Sequence, residues 1–149
     1  GGGVLLLGRR RDDLAVSPGL LATVDGCAEA ADGDVLVENA RRELHEEAPA
    51  LAARVEAAGG LGARARLLGI TSNLLRFTPS LCIEVRIPAG ADDQIPSLDA
   101  AEFGESVLVP ATSAGLAALW SGELGSISPP AAGALALWEG HRPGGYLPL

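Results

Sequence analysis

Short apolar runs alternate along this chain with amphipathic stretches of helical period, and that interleaving confines it to a layered fold that mixes strands and helices. "GVLLLGRRR" (3–11) is an apolar run closed by charges and reads as a strand. A turn at Ser17-Pro18-Gly19 leads to a second strand, "LLATV" (20–24). "DGCAEAADGD" (25–34) is small, acidic and glycine-bearing, hence a loop, with Asp32 or Asp34 placed to cap a helix. Val37, Ala40, Leu44 and Ala48 then recur at spacings of three and four, which predicts a helix from about Val35 to Glu47 or Ala48. Glu38 and Arg42 have the spacing of a favourable i,i+4 pair. Pro49 cannot continue the hydrogen-bond ladder, so the helix ends or kinks there.

A short helix over 50–58 follows, with Pro49 near its first turn and Gly59-Gly60 as its stop. Strands are predicted over 63–75 and 80–88. In the second, Leu81, Ile83, Val85 and Ile87 share one face, while Cys82, Glu84 and Arg86 share the other, polar one. A polar loop (89–105) leads to a strand at 106–110. Helices over 111–122 and 128–141 complete the chain. The expected class is α/β of the α+β kind, a single domain over 1–149 with mixed strand connections and no internal repeat.

Composition narrows the function. Apolar residues make up 48 % of the 149 residues and aromatics 3 %, so one core is built from Leu, Val, Ile and Ala. No apolar run approaches the ~20 residues that span a bilayer. The N-terminal run is too short for a secretion signal, and its basic residues follow it. A soluble, cytoplasmic protein is expected, with no membrane partner. The chain has no methionine, even at position 1, so an N-terminal element is expected to precede it. The net charge of −8, with no stretch both basic and aromatic, argues against a nucleic-acid polymer as partner. A small anionic substrate is compatible if a metal ion or the Arg9-Arg10-Arg11 cluster supplies positive charge. Cys27 and Cys82 form no C-x-x-C pattern and read as small thiols in a reducing compartment. With His45 and His141 the only histidines, no pair has the spacing of a zinc site.

The stretch Arg41-Arg42-Glu43-Leu44-His45-Glu46-Glu47 carries the chemistry. At ~100° per residue, Glu43, Glu46 and Glu47 occupy one sector about 100° wide, roughly a quarter turn from the apolar stripe. They flank the core face, with His45 turned away as a surface residue. Like charges at this spacing cost a few tenths of a kcal/mol per pair, and partial desolvation raises that cost. A divalent cation reverses its sign, and hard oxygen ligands suit Mg²⁺ or Mn²⁺. Taken alone, these seven residues also describe an ordinary solvated acidic helix face.

The flanks extend the pattern, which resembles the Nudix box, G-x5-E-x7-R-E-U-x-E-E-x-G-U, where U is a bulky apolar residue. Arg42-Glu43-Leu44-His45-Glu46-Glu47 matches its central R-E-U-x-E-E. Asp34, eight positions before Arg42 and preceded by Gly33, stands in the box's first glutamate position as a structural residue. "VLLLGRRR" followed by "SPGLLATV" resembles the approach to the box, and "EFGESVLVP" resembles a segment that often carries one more acidic ligand. The box's two glycines are replaced by Ala28 and Pro49.

The resemblance implies a Nudix-like α/β/α sandwich with a mixed central sheet. It also implies a hydrolase that cleaves the diphosphate linkage of a nucleoside diphosphate derivative with Mg²⁺ or Mn²⁺. By the same resemblance, Glu43, Glu46 and Glu47 match metal ligands, Glu43 and Glu46 with a catalytic part, and Arg42 orients a glutamate. Glu102 or Glu105 completes the metal set. Glu84 is a weaker candidate for that place. Arg10 and Arg11 are candidates for the substrate's phosphates. Homodimers are common in the family. The alternative is a catalytically impaired Nudix-like domain that binds a nucleotide or other ligand, or contacts a protein. The sequence does not select among diphosphate substrates.

Overall fold

The computed structural model describes residues 3–26, 35–73, 77–87 and 97–142, with side chains of the first helix described from residue 37. Ala28 and Asp34 of the box, and Cys27, lie outside them. The elements run β1 (Val4–Arg10), β2 (Leu21–Ala22), α1 (Val35–Glu47), α2 (Pro49–Ala57), α3 (Leu61–Arg64), β3 (Ala65–Asn73), β4 (Thr78–Val85), β5 (Phe103–Pro110), α4 (Ser113–Glu123), a 3₁₀ turn (Leu124–Ser126) and α5 (Pro129–Gly140). Pro49 ends α1 and opens α2, where its missing N–H costs nothing. Ser128 caps α5, its hydroxyl accepting from the Ala131 amide at 3.4 Å, with two prolines in the first turn.

β1 lies between β2 and β5 in an antiparallel three-stranded sheet, and β3 and β4 form a second antiparallel pair. The expected α+β class is present. Its strands pair antiparallel, and among the described residues the parallel contact is a single bridge from Leu21 to Ile127. Period-two alternation divides the core between the faces of the three-stranded sheet. On one face Leu6, Ala22 and Phe103 pack with Leu44 and Ala48 from α1 and its exit, and with Leu51, Ala52 and Val55 of α2. On the other, Leu7, Leu21 and Val109 pack with Leu116 and Leu119 of α4 and Ala131 and Leu135 of α5. Helices therefore cover both faces of β1, as in a sandwich. No helix among the described residues is long and apolar enough to cross a membrane.

Two features of the strands depart from expectation. Near the start of β4 the Cys82 side is the covered one, with Cys82 5 % exposed and Leu81 47 %, whereas Val85 and Ile87 on the other side pack against the core beside α1 and α2. The cause is α5. A Cβ on Gly133 would collide with Thr71, and Leu137 lies against Gly69, so the helix sits close to this side of the hairpin. Trp138 then donates its indole N–H to Glu84 at 3.1 Å. Glu84 is thus no solvated strand residue; its carboxylate also pairs with Arg66 at 3.1 Å and Arg86 at 3.2 Å. The second departure is a bulge between β1 and β5. Arg9 faces Glu105 and Arg10 faces Phe103, leaving Gly104 as the extra residue.

Candidate functional site

The site forms where α1 ends against the β1–β5 edge. α1 is oriented by Leu44 and Ala48, which pack into the core with Phe103. Its last carbonyl, on Glu47, accepts from the Asp99 amide at 2.6 Å. That bond docks the turn at 99–102, which is closed by Phe103 N–H to Asp99 C=O at 2.9 Å. The turn is also held to β1, since the Arg11 amide donates to Glu102 C=O at 3.0 Å. Glu47 and Glu102 are thereby brought to one place from positions 55 residues apart in the chain.

Glu47 is the centre. Only 5 % exposed, it accepts one hydrogen bond from the Asp25 amide, at 3.1 Å. Its pKa is pushed up to about 8, first by burial and then by the charge of Glu102, with Asp25 and Glu43 adding to the repulsion. Asp25 is raised as well, by burial, with Arg10 opposing and Glu102 adding to the shift. Glu43, one turn before Glu47, is raised by burial against the opposing charge of Arg42, with which it pairs at 2.8 Å. A Cβ on Gly26 would collide with the Glu43 carboxylate, so the chain passes close to that group and a larger residue there would push the carboxylate aside.

Of the residues singled out from the sequence, Glu43, Glu47, Glu102 and Arg42 meet at this end of α1. Arg10 joins them, pairing with Glu102 at 3.2 Å and Asp25 at 3.8 Å. Arg42 also donates to Asn39 at 2.7 Å and lies 3.5 Å from Glu46. Glu46 itself points outward, its side chain 60 % exposed. His45 is exposed, as its place on the wheel requires. Glu38 pairs with Arg41 at 2.9 Å, one position before its expected partner. Arg11 is held by Asp13 in two contacts, at 2.8 and 2.6 Å, which raise the guanidinium pKa.

Glu105 is separated from the cluster. It pairs with Arg9 at 3.2 Å, and Arg9 also reaches Glu123 of α4 at 3.5 Å, on the opposite face of the sheet from α1. The bulge causes this. Strict alternation would put Phe103 and Glu105 on the same side, and the extra Gly104 puts them on opposite sides. Asp25 was not among the sequence candidates. Its signal was an Asp-Gly step directly before the loop that leads to α1. An open depression of about 430 Å³ borders the site, lined by Arg9, Arg10, Arg11, Asp12, Asp13 and Glu105 among others.

The donors are hard oxygens, and the repulsion at Glu47 is of the kind a divalent cation relieves, so the residue types fit Mg²⁺ or Mn²⁺. Among the described residues, however, no group of three acidic, histidine or cysteine side chains stands close enough to hold a metal ion as arranged. Guanidinium groups lie on these carboxylates instead: Arg10 on Asp25 and Glu102, Arg42 on Glu43 and Glu46.

The chain's architecture has solved counterparts. A NUDIX hydrolase from Alicyclobacillus acidocaldarius superposes over 90 % of this chain and 82 % of its own, with a TM-score of 0.53 and 22 % identity. The fold is Nudix-like. The protein DR0079 from Deinococcus radiodurans matches over 94 % of this chain and 76 % of its own, with a TM-score of 0.61 and 19 % identity. At these identities the likeness is one of fold. No protein-family model matches the chain, and no curated protein sequence does. The R-E-L-H-E-E stretch of this chain lies on α1, where Leu44 packs with Phe103, Glu47 is buried and Glu46 is exposed.

Proposed function

We propose that this domain is a Mg²⁺-dependent hydrolase of the Nudix type, cleaving a diphosphate linkage in a nucleoside diphosphate derivative. The observation that carries the proposal is the Glu47 carboxylate, buried within a Nudix-like fold and crowded by Glu102, Asp25 and Glu43. A buried carboxylate among three like charges is costly to ionise, and a divalent cation would relieve that cost as protonation does. Glu47, Glu43, Glu102 and Asp25 are the residues that would hold the metal. A Mg²⁺ ion held by them would supply charge neutralisation to a diphosphate and would lower the pKa of a bound water.

The chain's own groups divide the remaining work. Arg42 holds Glu43 at 2.8 Å and so fixes that carboxylate beside Gly26. The Asp25 amide occupies Oε2 of Glu47 at 3.1 Å, which orients the Glu47 carboxylate toward the acidic cluster. Arg10 and Arg11 line the neighbouring depression together with Asp12, Asp13 and Glu105, so an anionic substrate would compete with these carboxylates for the guanidinium groups. Glu46, being outward, would bind from the solvent side of α1. The expected setting is cytoplasmic, and a homodimer is compatible with the reading.

The test is phosphate or nucleotide release from a panel of nucleoside diphosphate derivatives with Mg²⁺. Turnover is expected for at least one of them, lost in Glu47→Gln. The dispersed arrangement of the carboxylates, each already paired with arginine or crowded by another acid, favours a second reading, a ligand-binding domain without catalysis. Wild-type protein that takes up Mg²⁺ and turns over nothing on the panel would establish that second reading.

A further inference from the structure

The β3–β4 hairpin has two unlike faces. Cross-strand register puts Leu67 opposite Ile83 and Ile70 opposite Leu81 on one of them, with Pro79 further along it. Arg66 and Glu84 pair on the other, the α5 side, where Arg86 also meets Glu84. The first face begins inside the core, where Ala65, Val85 and Ile87 pack beside α1 and α2. Toward the hairpin tip that cover ends. Leu67 is 53 % exposed, Ile70 64 %, and Phe77 at the turn 86 %. Phe77 also holds a φ of 51°, a conformation that costs a bulky residue free energy. One apolar sheet face is thus covered at its base by the molecule's own helices and bare toward its tip.

At these exposures Leu67, Ile70, Phe77 and Leu81 leave roughly 450 Å² of apolar surface bare, within the ~300–600 Å² of the largest patch on a monomer. Two such patches face to face bury roughly 900 Å². The exposed Pro79 and half-exposed Ile83 raise that toward ~1,200 Å², the size of weak, reversible complexes. The patch bears no charged side chain. In a chain of net charge −8, a second copy is repelled least where the surface is neutral. Edge-to-edge pairing of the hairpin is blunted, because β3 is bulged between Leu67 and Gly69 and Pro79 of β4 lacks an N–H. Face-to-face packing, with sheets about 10 Å apart, remains open to it. We propose that the chain self-associates as a twofold dimer through this face, the Ile70–Leu81 pair of one protomer against the same pair of its partner. This inference is independent of the hydrolase reading and uses no residue of the α1 cluster.

The experiment is sedimentation equilibrium of the whole chain from about 5 µM to about 1 mM, a range that spans the affinities of interfaces this small. Wild type is expected to pass reversibly from monomer to dimer as concentration rises. Ile70→Glu and Leu81→Glu each bury an unpaired charge at the contact and should weaken the dimer roughly tenfold or more. Leu124→Glu alters a leucine on the 3₁₀ turn that is 66 % exposed, and should dimerise as wild type does. Ile70→Glu mixed with Ile70→Lys should associate more tightly than either alone, since opposite charges then meet across one small patch.

A wild type that stays monomeric at the highest concentration would overturn the proposal. Shielding of the Ile70 and Leu81 methyl groups from a dissolved paramagnetic probe would then assign the face to another segment of this chain. Full accessibility would leave it to a partner of another kind. A dimer that Ile70→Glu and Leu81→Glu leave intact, or that Leu124→Glu weakens as much, would place the contact elsewhere and overturn the proposal too. Should the glutamate variants not fold, the wild type alone decides: the Ile70 and Leu81 methyl resonances should move with protein concentration and those of Leu124 should not. Unmoved Ile70 and Leu81 resonances across a monomer-to-dimer transition would refute this interface.

Discussion

Glu47 and Glu84 are both largely buried carboxylates, and they are treated in opposite ways. Glu84, with a side chain 15 % exposed, is approached by two guanidinium groups and an indole N–H, all within 3.2 Å. Glu47, at 5 % exposure, has one backbone amide at 3.1 Å and three carboxylates in its field. The first is satisfied by the protein and joins the β3–β4 hairpin to α5. The second is under-compensated. Burial alone therefore does not mark a functional carboxylate; the balance of charge around it does.

The largest expected effect separates the two residues by activity. With Mg²⁺ present, Glu47→Gln should lower turnover by roughly a hundredfold or more, the scale of losing one charge-stabilising group. Glu84→Gln should stay within a few-fold of wild type in the same assay. Equal losses in both would break the distinction.

Next in size is the pH dependence of stability without metal. The Glu47 carboxyl has a folded pKa of about 8 against an ordinary value of 4.5, so the fold binds this proton more tightly than the unfolded chain does. Its stabilising contribution is fully present below about pH 4.5, is lost as pH rises toward 8, and changes no further above that. At about 1.4 kcal/mol per pKa unit, the loss is at most a few kcal/mol. Asp25 and Glu43, also raised, act in the same direction. Urea unfolding in a chelator at pH 5, 7 and 9 should show the decline, and Glu47→Gln should flatten it. Stability that rises over this range in wild type would contradict the account.

Glu84→Gln, nearly silent in turnover, should destabilise the fold by about 1–3 kcal/mol, because it weakens charge-assisted bonds at a partly buried site. Urea midpoints measure it. The smallest effect belongs to Glu105. Its pair with Arg9 has the carboxylate 60 % exposed, so Glu105→Gln should cost less than about 1 kcal/mol and leave Mg²⁺ affinity unchanged. A marked loss of affinity would place Glu105 back with the α1 carboxylates.

The contrast between the two carboxylates also shows what the sequence could disclose. Local signals located the elements: the stripe of Val37, Ala40, Leu44 and Ala48, Pro49, and the apolar runs of β1 and β5. The stretch R-E-L-H-E-E named one flank of α1, since spacing along one helix fixes which residues share a side; Glu43 and Glu47 are largely covered there and Glu46 is exposed. Nonlocal geometry was not legible. Gly104 hinted at a bulge, but only pairing with β1 shows that Phe103 and Glu105 fall on different faces. The regular alternation of β4 named its two faces without saying which one α5 would cover. That was decided by Gly133 and Trp138, more than 45 residues away in sequence. Asp25 had no helical or strand period to announce it and enters the site through both its backbone amide and its carboxylate.

The most direct test of the central claim, that the Glu47 cluster is built for a cation, is the melting temperature with and without millimolar Mg²⁺ at pH 8. Binding to the folded state alone raises stability by mass action. The account predicts an upward shift of a few degrees in wild type that disappears in Glu47→Gln and persists in Glu84→Gln. No shift in wild type, or an equal shift in Glu47→Gln, would contradict it.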